Sequence, residues 1–337
     1  MKSIRSSVII LTLVVASIAV SPAFGKHHGS KAGSSSGGGG SNNFTWANLE
    51  SDLAGVAQFV DPNLINPWGM ALFSSSVILV SDNGAGVATA YNTDGTPSPS
   101  AADPLVVTIP PGASNTDGGN PTGVVANNTS FFKVTEGTSS QPSSFIFVAE
   151  DGSISGWNPA LDPTNAIIAV DNGPGAVYKG VTMGVANGHN FLFATNFRAG
   201  TVDSFDENFN PVNPGGFTDP TLPSGFAPFG IANINGLIYV TYAKQDAAKH
   251  DDVAGPGNGF VNVFDTSGNF VNRLISQGEL NSPWGLALNS GGFGSFNGEL
   301  FIGNFGDGKI NVYDPTTGAF LGAMMRHDGN GPLDFDD

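Results

Sequence analysis

A short motif built around a glycine recurs five times in this chain and constrains its fold more than any other feature. The copies are NPWGMAL (66–72), NPTGVVA (120–126), VYKGVTM (177–183), APFGIAN (227–233) and SPWGLAL (282–288). Their glycines are 54, 57, 50 and 55 residues apart. A regular period of this length is typical of repeat architectures that place one small β-sheet in each repeat. We therefore expect five similar sheets.

Each glycine motif is followed by two β-rich runs that are joined by a turn. The runs alternate apolar and polar residues and are flanked by Gly, Asn and Asp, which is the composition of a hairpin. A further β-rich run follows at Leu105, Ile167 and Val271, and no segment shows a sustained helical period. The pattern predicts an all-β chain in which four antiparallel strands per repeat form one blade of a β-propeller, with five blades evident.

The motif itself has a structural explanation. Innermost strands crowd around a narrow channel, so a residue without a Cβ permits close backbone approach or a positive φ at the start of the strand. Aromatic residues precede three of the glycines, in Pro67-Trp68, Pro228-Phe229 and Pro283-Trp284. We expect these rings to pack between neighbouring blades. The alternative is that Trp68 or Trp284 stacks on a cofactor.

Longer segments around these motifs carry a family resemblance. The sequences DPNLINPWGMA (61–71) and AEDGSISGWNP (149–159), and the long insertion in the fourth repeat, resemble a family of secreted, mostly bacterial propeller proteins of unknown function. The repeats are also similar to NHL repeats and, more distantly, to the six-bladed gluconolactonase-like and TolB-like propellers. The resemblance covers about residues 44–329. It implies a propeller fold and leaves the activity open.

The resemblance also implies a sixth repeat, which this sequence does not contain. One more period after Gly285 reaches the last residues of the chain, which ends at Asp337. We therefore expect either a six-bladed family member whose last blade is missing or a five-bladed variant. Five blades would leave an exposed sheet edge unless residues 44–53 pair with the fifth blade or the ring contracts.

The first 25 residues have the pattern of a signal peptide. Lys2 and Arg5 precede an apolar run over 8–20, and small residues at Ala23 and Gly25 suit a cleavage site. The alternative, an uncleaved membrane anchor, needs a longer apolar run than these 13 residues. Residues 26–43 form a Gly/Ser linker and 44–337 a single propeller domain. These features predict a secreted or extracytoplasmic protein with no stable membrane anchor after cleavage.

The charge balance excludes one class of partner. Twelve Lys and Arg stand against 28 Asp and Glu, which gives a net charge of −16, and there is no cysteine. A field of this sign repels phosphate backbones and attracts cations, so we expect no nucleic-acid partner. Without cysteine the chain has no disulfides, and its stability has to come from packing.

One polar or aromatic residue ends the second strand of each repeat. Equivalent strand ends of a propeller point toward one mouth of the channel, so these residues would form a ring. The gluconolactonase-like propellers hold a catalytic metal with Glu, Asn and Asp at this place. We therefore expect Ca²⁺ or Mg²⁺ on oxygen ligands here, unless these residues only form turns. The predicted ligands are Asp82, Glu150, Asn196 and Asn304, with Tyr242 at the fifth position.

The insertion at 244–259 is the second candidate site. It places Asp246, His250, Asp251 and Asp252 in a long loop between two strands, and such loops over a channel mouth are often functional. His250 beside Asp251 could act as a general base, or these residues could join the ring in binding a cation as a lid. Alternatively, the loop is simply solvated.

Three functions remain open from sequence. They are an extracellular binding or scaffold propeller, a metal-dependent hydrolase of lactones or sugar-derived substrates, and a structural matrix component. No nucleophile elbow, zinc-protease motif or phosphate-binding loop is present. We favour binding, with a small molecule, a carbohydrate or an extracellular protein as the partner, and leave enzymatic activity undecided.

Overall fold

The computed structural model describes residues 43–333, except 45–46, 73–75, 114, 116–117, 214–215, 292–294 and 329. The predicted signal peptide and nearly all of the predicted linker lie outside these residues. Within them the fold is all β, apart from one turn of 3₁₀ helix at Gly173–Gly175. None of the described segments is a helix long and apolar enough to cross a membrane.

The chain first runs along a segment that we call the strap, residues 43–66. It contains three short strands and then leads into the first blade. The strap strands are β1 (Asn43–Phe44), β2 (Glu50–Ser51) and β3 (Phe59–Val60). β2 and β3 pair in parallel.

Five four-stranded antiparallel sheets follow and form a five-bladed β-propeller. Blades 1 and 2 each carry an additional small hairpin. Blade 1 contains β4 (Pro67–Leu72), β5 (Val77–Asp82), β6 (Val87–Asn92), the hairpin β7 (Pro99–Ser100) and β8 (Asp103–Pro104), and β9 (Val106–Thr108). Blade 2 contains β10 (Pro121–Ala126), the hairpin β11 (Lys133–Glu136) and β12 (Ser139–Pro142), β13 (Phe145–Ala149), β14 (Ser153–Trp157) and β15 (Ile167–Asp171).

The remaining blades consist of four strands each. Blade 3 contains β16 (Tyr178–Ala186), β17 (His189–Asn196), β18 (Thr201–Phe205) and β19 (Pro211–Val212). Blade 4 contains β20 (Phe226–Ile234), β21 (Leu237–Lys244), β22 (Gly259–Asp265) and β23 (Phe270–Ser276). Blade 5 contains β24 (Pro283–Leu288), β25 (Leu300–Asn304), β26 (Ile310–Tyr313) and β27 (Phe320–Ala323), and the tail after it, residues 324–333, contains β28 (Met325–Arg326). The predicted four-stranded blades are confirmed.

The repeat glycines form a waist where the innermost strands of successive blades touch. A Cβ at Gly69 would lie 2.5 Å from the carbonyl oxygen of Thr122 in blade 2, and a Cβ at Gly123 would lie 2.7 Å from the nitrogen of Val181 in blade 3. These glycines are therefore required for close approach and not for a positive φ. The left-handed conformation occurs three residues earlier, for example at Asn66, with a φ of 48°.

Alternating side chains of each second strand pack into two different blade interfaces. In β13, Phe145 and Phe147 join the core between blades 1 and 2, whereas Ile146 and Val148 join the core between blades 2 and 3. Because both faces of such a strand are buried, it reads as a continuous apolar run in the sequence. The same alternation builds the interfaces between blades 3 and 4 and between blades 4 and 5.

In the described part of the chain, blades 5 and 1 are not joined by the close contact between innermost strands that joins the other blades. We call the region between β24 of blade 5 and β4 of blade 1 the open sector. Among the described residues, the closest atoms to a Cβ at Gly285 belong to Gly303 of its own blade, at 3.7 Å, and not to a neighbouring blade. The strap covers the outer part of the face of blade 1, where Leu64 packs on Ile78 and Val80. The tail covers the face of blade 5.

Strap and tail meet across the open sector. β1 pairs in parallel with β28, and Phe44 packs against the cluster that contains Phe301, Met324 and Leu333. The pairing expected between residues 44–53 and the fifth blade is therefore made at Phe44, but with the tail that follows that blade. The sixth blade implied by the resemblance is not among the described residues, and short pairs of strap and tail strands occupy its place.

Candidate functional site at the channel mouth

Three of the four predicted metal ligands are buried inside their own part of the fold, and Oδ1 of one of them, Asp82, has no hydrogen-bond partner there. Asp82 is fully buried on the strap side of blade 1, where the hydroxyl of Thr89 donates to its Oδ2 at 2.7 Å. Asn196 Oδ1 accepts from the N–H groups of Val177 and Ala199, at 3.3 and 3.1 Å. Asn304 likewise caps neighbouring backbone groups.

Asn304 bonds to neighbouring backbone groups, and the residue at the fifth ring position, Tyr242, is buried as well. The N–H of Asn281 donates to Asn304 Oδ1 at 3.1 Å, and Asn304 Nδ2 donates to the carbonyl of Glu279 at 2.9 Å. Tyr242 is buried in the apolar core between blades 3 and 4. The two asparagines thus form local caps, as the alternative interpretation expected. The described contacts do not bring the four predicted ligands together.

Glu150 is the ring residue that reaches the channel mouth. Its Oε1 forms an ion pair with Lys179 Nζ, and Asn83 Nδ2 donates to its Oε2 at 3.0 Å. The side chain of Lys179 is only 2% exposed, and its Nζ lies 5.1 Å from the centre of the Trp68 ring. A lysine from blade 3, a carboxylate from blade 2 and a tryptophan from blade 1 therefore converge on one point.

The rings before the repeat glycines close the channel at this level. Trp68 contacts Trp284 at 5.5 Å and Phe229 at 6.0 Å between ring centroids, and it lies 4.8 Å from Phe305. We call these four residues the aromatic plug. As expected, the ring of Trp68 packs against a neighbouring blade, blade 5, and it also reaches Phe229 of blade 4. Trp284 Nε1 donates to the carbonyl oxygen of Lys179 at 2.9 Å and anchors the plug.

The insertion loop of blade 4 lies beside this cluster. Asp251 Oδ1 is 3.5 Å from Lys179 Nζ and 2.8 Å from His250 Nδ1. Asp246 shapes the loop, because its Oδ1 accepts from the N–H of His250 at 2.9 Å. Asp252 forms a bridge to Gln245 at the base of the loop. His250 and Asp251 thus face the site, while Asp246 and Asp252 support the loop.

The electrostatics of the loop follow from these contacts. The hydrogen bond with Asp251 raises the pKa of His250, and the charge of Glu150 adds to this effect. The same hydrogen bond lowers the pKa of Asp251. Burial raises the pKa of Asp252. His250 and Asp251 therefore form a charged pair over a wider pH range than either group would alone.

Three of these side chains have the spacing of metal ligands. Ligand atoms of Glu150, His250 and Asp251 all lie within 4.8 Å of one another. Two carboxylates and an imidazole could hold a divalent ion. However, the ammonium group of Lys179 already contacts two of the three. A divalent ion would have to share or displace that positive charge.

Sequence reasoning missed Lys179, the residue that organises the site. A signal for it exists in the aligned repeats. The position before the repeat glycine is aromatic in three copies, at Trp68, Phe229 and Trp284, and it is lysine in the third copy. A lysine at a position that is otherwise buried needs a partner of opposite charge, and Glu150 of the preceding blade is that partner.

Comparison with known proteins places the chain in a family. No family model matches the sequence. The uncharacterized protein L690 of Acanthamoeba polyphaga mimivirus is 31% identical over 283 residues, which cover 81% of this chain and 72% of that protein. The chain belongs to the L690 family. The uncharacterized protein R648 of the same virus is 30% identical over 288 residues, which cover 83% of this chain and 69% of R648.

The organism of these relatives differs from the one that the family resemblance led us to expect. Both are viral, so they do not support the expectation of a mostly bacterial, secreted family. Their names assign no activity. For this chain the fold and the mouth cluster are therefore the observations from which a function has to be argued.

Solved structures with a similar fold are more distant from this member of the L690 family. A calcium-binding regucalcin from Agrobacterium tumefaciens is 11% identical, with a TM-score of 0.48. The match covers 78% of this chain and 75% of the regucalcin chain. Virginiamycin B lyase from Staphylococcus aureus is 15% identical, with a TM-score of 0.42 and coverages of 77% and 85%. A putative gluconolactonase is 10% identical, with a TM-score of 0.45 and coverages of 77% and 77%. The blade count rests on the strand pairing of this chain.

Proposed function

We propose that this protein is a binding propeller that takes a small hydroxyl-rich ligand, such as a carbohydrate, at the channel mouth. The observation that carries the proposal is the nearly buried Lys179, held between Glu150 and Asp251 on the face of Trp68. The site combines charged hydrogen-bonding groups, an aromatic surface and a covering loop. A secreted or extracytoplasmic location is part of the proposal.

The polar groups suit hydroxyl ligands. Lysine offers three donors, and carboxylates offer only acceptors, so the cluster can pair with both the hydrogen and the oxygen of a hydroxyl group. An ion pair that is this well buried is weak as a source of stability, because desolvation offsets most of the attraction. Binding a polar ligand would give the pair a function that stability does not.

The aromatic surface suits the apolar face of a sugar ring. Phe305 of the plug is 46% exposed, although it packs 4.8 Å from Trp68. Ligand sites combine such apolar surfaces with a few polar groups that orient the ligand. The net charge of −16 favours a neutral or cationic ligand over an anion.

The second candidate is a metal-dependent hydrolase acting on a sugar-derived substrate. The spacing of Glu150, His250 and Asp251 favours it, since these groups could hold Ca²⁺ or Mg²⁺. In our proposal the ammonium of Lys179 supplies the positive charge that a metal would otherwise provide. The two candidates therefore make opposite predictions for calcium.

We expect neutral monosaccharides to raise the melting temperature of the wild type, and Phe305→Ala to remove this effect, because the ligand loses its apolar contact. Binding to the native state raises stability by mass action. The measurement is a thermal shift with glucose, galactose, mannose and arabinose. Phe320→Ala is the matched control, since Phe320 is also 46% exposed but lies in the outermost strand of blade 5. A wild type that no sugar stabilises would refute the carbohydrate proposal.

We expect calcium to leave the wild type unchanged and to stabilise Lys179→Met, in which Glu150 and Asp251 lose their cation and can bind another. Calorimetric titration of both proteins measures this, and the double variant Lys179→Met with Glu150→Gln should lose the binding again. Calcium binding by the wild type that Glu150→Gln abolishes would instead establish the metal-dependent candidate.

A further inference from the structure

A large cavity lies on the other side of the aromatic plug from the mouth. Its volume is about 650 Å³, and it extends from Trp68 and Trp284 along the innermost strands of all five blades. Among its described lining residues, none comes from the insertion loop, and Glu150 and Lys179 are absent too. The cavity is therefore separate from the mouth site.

The open sector forms one side of this cavity. In β4, Ala71 packs toward the core between blades 1 and 2, so Met70 and Leu72 on either side of it point the opposite way, toward blade 5. Met70 is 48% exposed and Leu72 is 43% exposed. Across the open sector, Phe301 and Ile310 of blade 5 line the facing wall.

The described lining of the cavity carries no charged side chain. Its polar side-chain groups are those of Thr182 and Asn233 and the indole N–H groups of Trp68 and Trp284. Thr182, Asn233 and Trp284 are engaged elsewhere, whereas Trp68 Nε1 is buried without a hydrogen-bond partner. The N–H of Asn233 donates to Thr182 Oγ1 at 3.1 Å, and Asn233 Nδ2 donates to the carbonyl of Met183 at 2.9 Å. Water beside Met70 and Leu72 would find few side-chain partners, so its replacement there by an apolar molecule is favourable.

We propose that the cavity binds a neutral, apolar small molecule, such as a fatty alcohol or a terpenoid. The volume falls in the range of about 300–1,000 Å³ that small-molecule sites occupy. A neutral ligand fits because the described lining offers no cation for an acid, and the net charge of −16 repels anions.

The position of the cavity favours a small molecule over a protein partner. Its walls are innermost strands around the channel axis, and the strap and tail meet over the outer part of the open sector. A folded partner would have to displace the β1–β28 pair and the cluster of Phe44, Met324 and Leu333 to reach Met70 and Leu72. A small molecule needs no such change.

The probe for this site is N-phenyl-1-naphthylamine, a neutral apolar dye that fluoresces in apolar surroundings. We expect saturable binding to the wild type and an affinity at least about tenfold lower for Met70→Gln with Leu72→Asn, since polar groups in the wall stay unpaired when the dye binds. Both positions are nearly half exposed, so these variants should fold. Val271→Asn, at an exposed position of the outermost strand of blade 4, is the control and should bind like the wild type.

The outcomes separate this proposal from the others. Asp251→Asn should leave dye binding unchanged even if it weakens sugar binding, because no described residue of the insertion loop lines the cavity. A wild type without saturable dye binding would overturn the proposal, and so would equal affinities in all variants. Sedimentation provides a further check, since a wild-type dimer that Met70→Gln with Leu72→Asn dissociates would show that a second copy covers this surface instead.

Discussion

Gly230→Ala should lower the free energy of unfolding by about 3 kcal/mol, whereas Gly285→Ala should change it by less than about 0.5 kcal/mol. A Cβ at Gly230 would overlap the carbonyl oxygen of Trp284 in the next blade. Backbone cannot move aside as a flexible side chain can, so the interface between blades 4 and 5 would have to separate. Urea unfolding followed by circular dichroism measures the difference.

Gly285 is the matched control because it occupies the same position in the repeat. A Cβ there would meet only Gly303 at 3.7 Å, an ordinary contact distance. The added methyl group also restricts the unfolded chain, which offsets part of any loss. Equal destabilisation by both substitutions would show that the glycines serve the local strand conformation and not the contact between blades.

Asp82→Asn should stabilise the protein at pH 8 by several kcal/mol and have a much smaller effect at pH 4. Burial raises the pKa of Asp82 to about 8, from an ordinary value of 3.8. Between these values the folded protein holds a proton that the unfolded chain has lost, so stability falls as the pH rises from about 4 to about 8. Asparagine removes this titration and can still accept the hydrogen bond from Thr89.

Glu50→Gln should also stabilise the protein more as the pH rises, but over a narrower pH range, from about 4.5 to about 7. Burial and the nearby charge of Asp61 raise the pKa of Glu50 from 4.5 to about 7. Unfolding of the wild type and both variants between pH 4 and 9 tests the prediction. Because variant and wild type are compared at the same pH, the contributions of other titrating groups to the free energy of unfolding cancel. If the stability difference between variant and wild type were the same at every pH, burial of these two carboxyl groups could not be the cause.

The blades were predictable because their cause is local and repeated. Each glycine motif starts an innermost strand, and each alternating run fills two interfaces, so the same pattern appears five times. The fourth strands of blades 3 and 5 escaped notice because they are short, Pro211–Val212 in one case, and largely exposed. A short exposed strand has no alternation of apolar and polar residues from which the sequence could predict it.

The mouth site was predictable only in part because its contacts cross between blades. Alignment of the strand ends singled out Glu150, and the length of the insertion singled out the loop, and the structure places both beside Lys179. The same alignment could not show that Asn196 and Asn304 turn toward nearby backbone groups. Nor could it pair Glu150 with Lys179, 29 residues later in the next repeat.

The pairing of β1 with β28 has a consequence for how the chain folds. The four blade interfaces join neighbours in the sequence, so they can form one after another while the chain is being synthesised. Strap and tail are separated by almost the whole of the described chain, and closing so long a loop is costly in entropy. We therefore expect the ring to close last. Until then the face of blade 5 that carries Phe301 remains uncovered, and this late intermediate is the species in which aggregation competes with folding.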